Sequence, residues 1–449
     1  MSPEATQGAG AERQPPLAST RRSRVVTCLA AAAVTLVAAA GGTAALFAVA
    51  TITATPALFM IAGVGAFLVI GYSGAAVVAA WRVPPERRRA ARWTVFAAGS
   101  LLPGAVFAWA VSTPQPVPSS SMSVPGALTV QVSTGSRLTV IKLPVRAAAS
   151  RPPVIVVHGG PGVPELRDNA EAFAFLADQG FDVYLYAQLG TDGSTRLADP
   201  RGYTRERAVA DLEGLRSRLG LDKVILIGHS YGGEIAARYL AAHPDRVSKL
   251  VLTSPGAADP DDHSGDLVSS RLDSDQKVRL YARLLAPRSL LSYLLLQVNP
   301  RAAHAFLPDA EADAVNDMVV ELSEPALYCR GATLPDRPPV RGTGFYAMQY
   351  PQSATAPPPS DPRPALAGLP TPALIVKGSC DYLSWRSAVT YRDLLPNARL
   401  IYLVGAGHNV YQGGHAMVPK AITAFLADRS LPLVPYTADT PPADYEGPP

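Results

Sequence analysis

The sequence feature that most constrains this chain is a long segment without charge. From Val25 to Trp81 there is no Asp, Glu, Lys or Arg, and these 57 residues are too many for one membrane helix, which needs about 20. The residues TITATP at 51–56 interrupt the Ala/Leu/Val pattern and divide the segment in two. A third apolar stretch has the length of one more span. The sequence therefore predicts three transmembrane helices within 25–112, near 26–50, 57–81 and 93–112.

Arginines predict the orientation of these spans. Four precede the first span and five lie between the second and third: Arg13, Arg21, Arg22, Arg24; Arg82, Arg87, Arg88, Arg89, Arg92. The loop at 51–56 and the stretch 113–136 contain no Lys or Arg. Because positive loops stay on the cytoplasmic side, we expect a multi-pass cell-membrane protein with a cytoplasmic tail at 1–24. Everything after about residue 112 is then extracytoplasmic. The alternative for the first span is a cleaved signal peptide, although the apolar core of a signal peptide has only about 7–15 residues.

Charge and cysteine content argue against two classes of partner. The formal net charge is +4, and no basic patch with interleaved aromatic residues is present, which argues against nucleic acid. The three cysteines form no CxxC motif and no Cys/His cluster, so we expect no metal and no cofactor. We expect membrane lipid to contact residues 25–112, and no oligomeric state is predicted.

The remainder of the chain alternates short apolar runs with amphipathic stretches. A Pro/Ser-rich linker at 113–126 precedes this part, and a Pro-rich segment at 431–449, expected to be a loose tail, follows it. The pattern predicts a doubly wound, mostly parallel sheet with helices on both faces, opened by an antiparallel pair at 128–145. Expected strands are 153–159, 181–188, 223–229, 248–255, 372–378 and 398–405, and expected helices are 165–179, 204–219, 232–243, 383–395 and 415–428.

The alternation stops between 256 and 365. That stretch is helical and then Pro-rich, which predicts an inserted lid. The α/β core is therefore expected at 127–255 and 366–430, with the lid between two core strands. Insertions of this kind often carry function.

A serine lies in a glycine-rich turn after one of these strands. Gly228-His229-Ser230-Tyr231-Gly232 fits the G-x-S-x-G pattern, follows a β-branched run and precedes a helix. This strand–turn–helix context is what the pattern requires, because small residues must flank a nucleophile on a tight turn. We predict that Ser230 is the nucleophile. The Tyr231 backbone N–H is then an oxyanion donor.

A nucleophilic serine needs a base and an orienting acid. Where the order is Ser, acid, His, the two partners follow later strands. Asp381 follows the strand at 372–378, and His408 follows the strand at 398–405. We predict both as catalytic. Alternatives for the acid are Asp259, Asp261 and Asp262, and the alternative base is His415.

The segment HGGPG at 158–162 follows the first core strand. A second oxyanion donor is expected from a loop in this place, and we choose Gly160 to pair with Tyr231. His158 is expected to be structural.

With these residues in place, the chain resembles an α/β-hydrolase. HGGPG together with GHSYGG resembles the proline iminopeptidase (prolyl aminopeptidase) branch over about residues 127–430. The resemblance implies removal of N-terminal residues, often proline, from short peptides, although some relatives cleave other amides or esters. The branch usually carries an Asp-Gln-Arg-Gly turn, where this chain has AQLG at 187–190. Ala187 and Leu189 replace the acid and the arginine, which puts proline specificity in doubt.

An aminopeptidase must neutralise a substrate ammonium. The lid offers Glu321 and Glu324, which otherwise are a solvated helix end. Cys329 in the lid and Cys380 beside Asp381 could form a disulfide outside the cell, and the alternative is two unrelated buried thiols.

The sequence thus predicts a membrane-anchored, outward-facing serine hydrolase. Aminopeptidase action on short peptides through an acyl-enzyme is favoured. A carboxylesterase or other acyl hydrolase is the alternative, and a non-catalytic hydrolase-like binding module is the second.

Overall fold

A computed structural model describes residues 21–114, 117, 125–145, 151–336, 338–411 and 415–449. Most of the expected cytoplasmic tail, and linker positions 115, 116 and 118–124, lie outside the described residues. The chain divides into two compact units, Met1–Ile52 with Ala57–Trp109, and Thr53–Pro56 with Ala110–Pro449.

The first unit is helical, and its helices are α1 (Arg21–Ala50), α2 (Pro56–Arg82), α3 (Arg88–Phe96) and most of α4 (Leu102–Ser112). A π-helical turn, Ala97–Leu101, joins the last two. By length and composition alone, three segments could cross a membrane: Val25–Ala50, Pro56–Arg82 and Pro85–Ser112. The third begins earlier than the predicted residue 93. Its arginines form helical turns instead of a loop, because arginine is a good helix former.

The second unit is built on one eight-stranded sheet. Its strands are β1 (Leu128–Gln131), β2 (Arg137–Lys142), β3 (Val154–Val157), β4 (Val183–Tyr186), β5 (Val224–His229), β6 (Val247–Thr253), β7 (Ala373–Gly378) and β8 (Ala398–Leu403). The order across the sheet is β1-β2-β4-β3-β5-β6-β7-β8. Only the pairs β1/β2 and β2/β4 are antiparallel among these neighbours. The predicted mostly parallel α/β sheet is confirmed.

Helices cover both faces of this sheet. They are α5 (Leu166–Asp178), α6 (Arg205–Arg218), α7 (Tyr231–Ala242), α14 (Trp385–Leu394) and α15 (Met417–Leu426). Successive residues of β3 enter different cores: Ile155 and Val157 join one apolar cluster, and Val154 and Val156 join the other. This alternation follows from the two-residue repeat of a strand. It explains why the buried strands are continuously apolar in sequence.

The lid lies between β6 and β7 in the chain. Its helices are α8 (Ser274–Leu284), α9 (Pro287–Leu296), α10 (Pro300–Phe306), α11 (Asp309–Ser323), α12 (Phe345–Gln349) and α13 (Arg363–Leu366). A 3-10 turn, Glu324–Leu327, follows α11. The side chain of Arg271 joins this turn to the loop after β7, since it donates to the carbonyl oxygens of Ala326 and Cys380 at 3.1 and 2.6 Å.

The expectation of a loose tail at 431–449 is wrong. Residues 436–448, here called the carboxyl-terminal strap, pack on the core without forming helix or strand. The rings of Tyr436 and Tyr445 lie 5.2 and 5.3 Å from that of Trp385. The backbone N–H of Glu446 donates to Ser379 O at 2.8 Å. The two tyrosines provide apolar surface that packs on Trp385, and the Pro-rich composition of the segment gave no indication of this packing.

Candidate active site

Ser230 occupies a sharp turn between β5 and α7. Its φ is +52°, a conformation that is strained for a residue with a side chain. Glycines make the turn possible, because a Cβ on Gly228 would lie 2.5 Å from the Gly232 carbonyl oxygen. A Cβ on Gly232 would lie 2.1 Å from the carbonyl oxygen of Val157. The turn therefore needs glycine on both sides of the serine, and it directs Ser230 away from the sheet.

The loop after β3 lies directly against this serine. A Cβ on Gly159 would be 3.2 Å from the Ser230 Cβ, so the two backbones are in close approach. Gly160 has a φ of +118°, which only glycine adopts readily. Tyr231 is the first residue of α7, where backbone N–H groups have no partner within the helix. The Gly159 loop and the first turn of α7 therefore both lie next to Ser230.

His408 and Asp381 form a buried pair. His408 Nδ1 lies 2.7 Å from Asp381 Oδ1, and the side chains are 4% and 0% exposed. The Leu383 N–H donates to the same oxygen at 3.1 Å. Burial would raise the pKa of Asp381, but the charge of Lys377, and then that of His408, outweigh burial and hold it well below its usual range. An ionised Asp381 requires the proton on Nδ1, which leaves Nε2 as an acceptor.

Tyr382 contacts both His408 and Ser230. Its ring centroid is 4.5 Å from that of His408, and its hydroxyl interacts with the Ser230 side chain. Burial raises the pKa of Tyr382, so the phenol is neutral. The ring of His229 lies 4.9 Å from that of His408. Burial, and then the charge of His408, lower the pKa of His229 to about 3, so this imidazole is neutral as well.

The alternative acids and base have other partners. Asp259 pairs with Arg363 at 2.6 Å, and Asp262 accepts the Ser384 hydroxyl at 3.0 Å. The N–H of Asp261 donates to Asp259 at 3.1 Å, within the same loop. His415 is partly exposed and precedes α15. The structure brings Ser230, Asp381 and His408 to one region, and it does not bring these alternatives to His408.

His158 is buried and supports the neighbouring turn. Its Nε2 accepts the Gln188 backbone N–H at 2.9 Å, and the Gln188 amide donates to the His158 carbonyl at 2.7 Å. Nδ1 therefore carries the proton, and it lies 2.9 Å from Gly159 O. Burial lowers the pKa of His158 to about 4. Ala187 and Leu189 are buried beside Gln188, so the AQLG turn is a packed support for the Gly159 loop.

The two lid glutamates differ in their surroundings. Glu321 is 47% exposed and lies 3.8 Å from the Arg341 guanidinium. Glu324 is half-buried at the start of the turn Glu324–Leu327. The Leu327 carbonyl accepts the backbone N–H of His408 at 2.7 Å. Glu324 is therefore three residues from a contact with the base, whereas Glu321 is on the surface.

The structure contains a disulfide between Cys329 and Cys380. Cys28 is a free thiol. Among the described residues, no group of three or more His, Cys, Asp or Glu could hold a metal ion.

A cleft of about 350 Å³ opens beside the Gly159 loop and Tyr231. It is lined by Gly162, Gln188, Tyr203, Arg207, Tyr231 and Pro351, among others. Within the described part of the chain, the lining includes no carboxylate, and its one guanidinium, that of Arg207, is paired with Asp211 at 3.1 Å.

Sequence reasoning missed Lys377 and Tyr382, the residues that contact Asp381 and His408 most directly. A lysine inside an otherwise apolar strand was the available signal for the first. Tyr382 had no signal besides its place next to Asp381.

Comparison with known proteins identifies the family. Residues 152–413 match the model of the alpha/beta hydrolase fold family. The chain is 28% identical over 303 residues to the proline iminopeptidase of Lactobacillus delbrueckii subsp. bulgaricus, covering 63% of this chain and 92% of that protein. It is 26% identical over 262 residues to the proline iminopeptidase of Clostridium botulinum, covering 56% and 80%.

A solved structure is also similar. The proline iminopeptidase of Mycobacterium smegmatis aligns with a TM-score of 0.47 and 19% identity, covering 67% of this chain and 98% of that one.

Proposed function

This chain belongs to the alpha/beta hydrolase family and is a hydrolase, and we propose that it is a serine hydrolase with Ser230, His408 and Asp381 as its catalytic triad. Ser230 attacks the substrate carbonyl while His408 takes the hydroxyl proton. His408 then gives that proton to the leaving group, and an acyl-enzyme forms. Water, deprotonated by His408, releases the acid and restores Ser230. Asp381 orients the imidazole and stabilises its charged form.

The backbone amides of Gly160 and Tyr231 are the proposed oxyanion donors. Such donors are effective because they are fixed before charge develops on the carbonyl oxygen. The close approach of the Gly159 loop to Ser230 supports this assignment.

One observation carries the proposal. A buried carboxylate held ionised by its surroundings faces His408 Nδ1 at 2.7 Å, beside a serine on a positive-φ turn. If Asp381 and His408 were only a structural ion pair, the strain at Ser230 would have no explanation. If the turn at Ser230 were only a tight connection, the buried pair beside it would have none.

We propose an aminopeptidase of proline iminopeptidase type, acting on short peptides. The similarity to proline iminopeptidases supports this substrate class, and so does a half-buried Glu324 near His408 as partner for a substrate ammonium. A carboxylesterase is the second candidate, favoured by the cleft beside Tyr231, whose described lining has no carboxylate.

We further propose that the hydrolase is anchored by the region 25–112 in the cell membrane, N-terminus cytoplasmic. The hydrolase core at 127–255 and 366–430 and the lid at 256–365 are then extracytoplasmic. The three apolar helices support the anchor. The distribution of arginines supports the orientation.

Labelling with a fluorophosphonate tests the reaction class. We expect covalent labelling of wild type and none of Ser230→Ala. Ser254→Ala is a matched control, because Ser254 is also buried at a strand end with a positive φ of 44°. Equal labelling of wild type and Ser230→Ala contradicts the proposal and favours a binding module. A panel of prolyl, aminoacyl and short-acyl chromogenic substrates then separates aminopeptidase from esterase.

A further inference from the structure

A lysine is completely buried in the strand that leads to the proposed acid. Lys377 is the penultimate residue of β7, and all six residues of this strand are buried. The lysine side chain is 0% exposed. An ammonium in such a place loses its hydration and persists only with a well-placed partner.

Asp381 is that partner. Lys377 Nζ lies 2.8 Å from Asp381 Oδ2 and forms a buried ion pair with it. Nζ also donates to the Leu383 carbonyl at 2.9 Å. The two carboxylate oxygens are thus divided: Oδ1 faces His408 and the Leu383 N–H, and Oδ2 faces the lysine. Lys377 therefore fixes both the carboxylate and the loop that carries it.

Burial lowers the pKa of Lys377, and the charge of Asp381 at 2.8 Å opposes this effect and stabilises the ammonium. Other ionisable side chains surround this pair. The rings of His229 and Tyr382 face His408, and both are neutral, as described above. Burial, and then the charge of Asp381, raise the pKa of Tyr445 in the strap, so this phenol is neutral too. Asp262 acts on Lys377 from the loop after β6. Arg271 directs its guanidinium to the carbonyl oxygens of Cys380 and Ala326.

We propose that Lys377 is a positioning residue of the active site, which acts through Asp381 and sets the pH at which the Asp381–His408 pair takes up a proton. The proposal rests on the proposed function, because it assigns a task to the triad acid.

The sign follows from electrostatics. The negative charge of Asp381 stabilises a proton on His408, and the nearby positive charge of Lys377 offsets part of that field. Without Lys377, the Asp381–His408 pair holds one extra proton up to a higher pH, whichever of the two residues carries it. The base is then unavailable over a wider acid range.

The test compares Lys377→Met with wild type. Methionine has a similar length and no charge. For the full chain in detergent, the rate of Ser230 labelling by a fluorophosphonate is measured against pH. We expect the acid limb of Lys377→Met to move up by about one pH unit. Each labelling rate is divided by the plateau rate of the same protein. At one pH unit below the wild-type midpoint, this normalised rate is then about tenfold lower for the variant than for wild type.

Two further variants separate charge from packing. Lys377→Arg keeps the charge, and its acid limb is expected at the wild-type pH. Lys249→Met removes a lysine from the neighbouring strand β6, where Nζ pairs with Asp428 at 2.7 Å. Its profile should equal that of wild type. An unmoved limb in Lys377→Met, or an equal movement in Lys249→Met, overturns the proposal.

If Lys377→Met does not fold, the double variant Lys377→Met/Asp381→Asn decides. This variant has no uncompensated buried charge, so recovery of folded protein supports the pairing. A double variant that folds no better overturns it. Absence of Ser230-dependent labelling in wild type is a different result, because it contradicts the proposed function itself.

Discussion

Cys329 is bonded to Cys380, the residue immediately before Asp381. One end of this bridge is in the lid, close to the turn whose Leu327 carbonyl holds the His408 N–H. The bridge therefore joins the lid to the loop that carries the proposed acid.

We expect the variant Cys329→Ser/Cys380→Ser to be less stable and less active. The bridge spans 51 residues of sequence. In the chain-entropy description, a loop of that size contributes about 4 kcal/mol. Urea unfolding of the detergent-solubilised protein measures the free energy of unfolding. A lower kcat measures the effect of a less constrained Asp381 loop on the reaction.

Thiol counting provides the check on this pairing. Unreduced, unfolded protein should present one reactive thiol, that of Cys28, and Cys28→Ser should leave stability unchanged. Three reactive thiols would contradict the bridge.

Glu324→Gln should raise KM for a peptide with a free N-terminus more than KM for a neutral ester. The physical reason is the loss of a carboxylate that compensates a substrate ammonium during its desolvation. Glu321→Gln is the matched control, since Glu321 is exposed and lies near Arg341. Equal changes in KM for both substrates, or equal effects of the two variants, would exclude Glu324 from this role.

His158→Gln should reduce the loss of stability in acid. Folded His158 stays neutral down to a pKa of about 4, while the unfolded chain takes up that proton below about 6.5. Stability is therefore lost as pH falls from about 6.5 to 4, by about 3 kcal/mol from this residue. Urea unfolding at pH 7 and at pH 4.5 measures the difference.

His304 supplies a control of opposite sign. Asp309 accepts from its imidazole at 3.1 Å and raises the pKa of His304. This pair stabilises the fold below the unfolded pKa, and that contribution is lost as pH rises through the folded value. His304→Gln should therefore increase the acid loss that His158→Gln reduces. Parallel changes in both variants would refute the assignment.

A membrane-impermeant fluorophosphonate should label Ser230 in intact cells. This expectation follows from the arginines around the three apolar segments, which predict that the hydrolase domain faces outward. A cytoplasmic serine hydrolase in the same cells should react only after lysis, which controls for leakage. Labelling of Ser230 only after lysis would reverse the proposed orientation.

The core of the fold was predictable because its signals are local. Strands such as β3 are continuous apolar runs, and the turn at Ser230 carries its glycines in sequence. His408 could be chosen over His415 because it directly follows the last strand. Each of these inferences depends on neighbours within a few residues.

The missed features depend on tertiary structure. Lys377 is only four residues before Asp381, but the sequence does not show that the loop after β7 brings the carboxylate back to Nζ inside the core. Trp385 and Tyr445 are 60 residues apart, and only tertiary structure shows that their rings meet. Glu324 differs from Glu321 through burial, which spacing alone does not distinguish.

The carboxyl-terminal strap has a consequence for the timing of synthesis. The loop that bears Asp381 receives the Glu446 N–H on Ser379 O and the Tyr445 hydroxyl on Leu383 O. Ribosomes make these partners more than sixty residues after Asp381 itself. The loop therefore reaches this set of contacts only after residue 446 has been synthesised. A nascent hydrolase domain is expected to remain inactive until then.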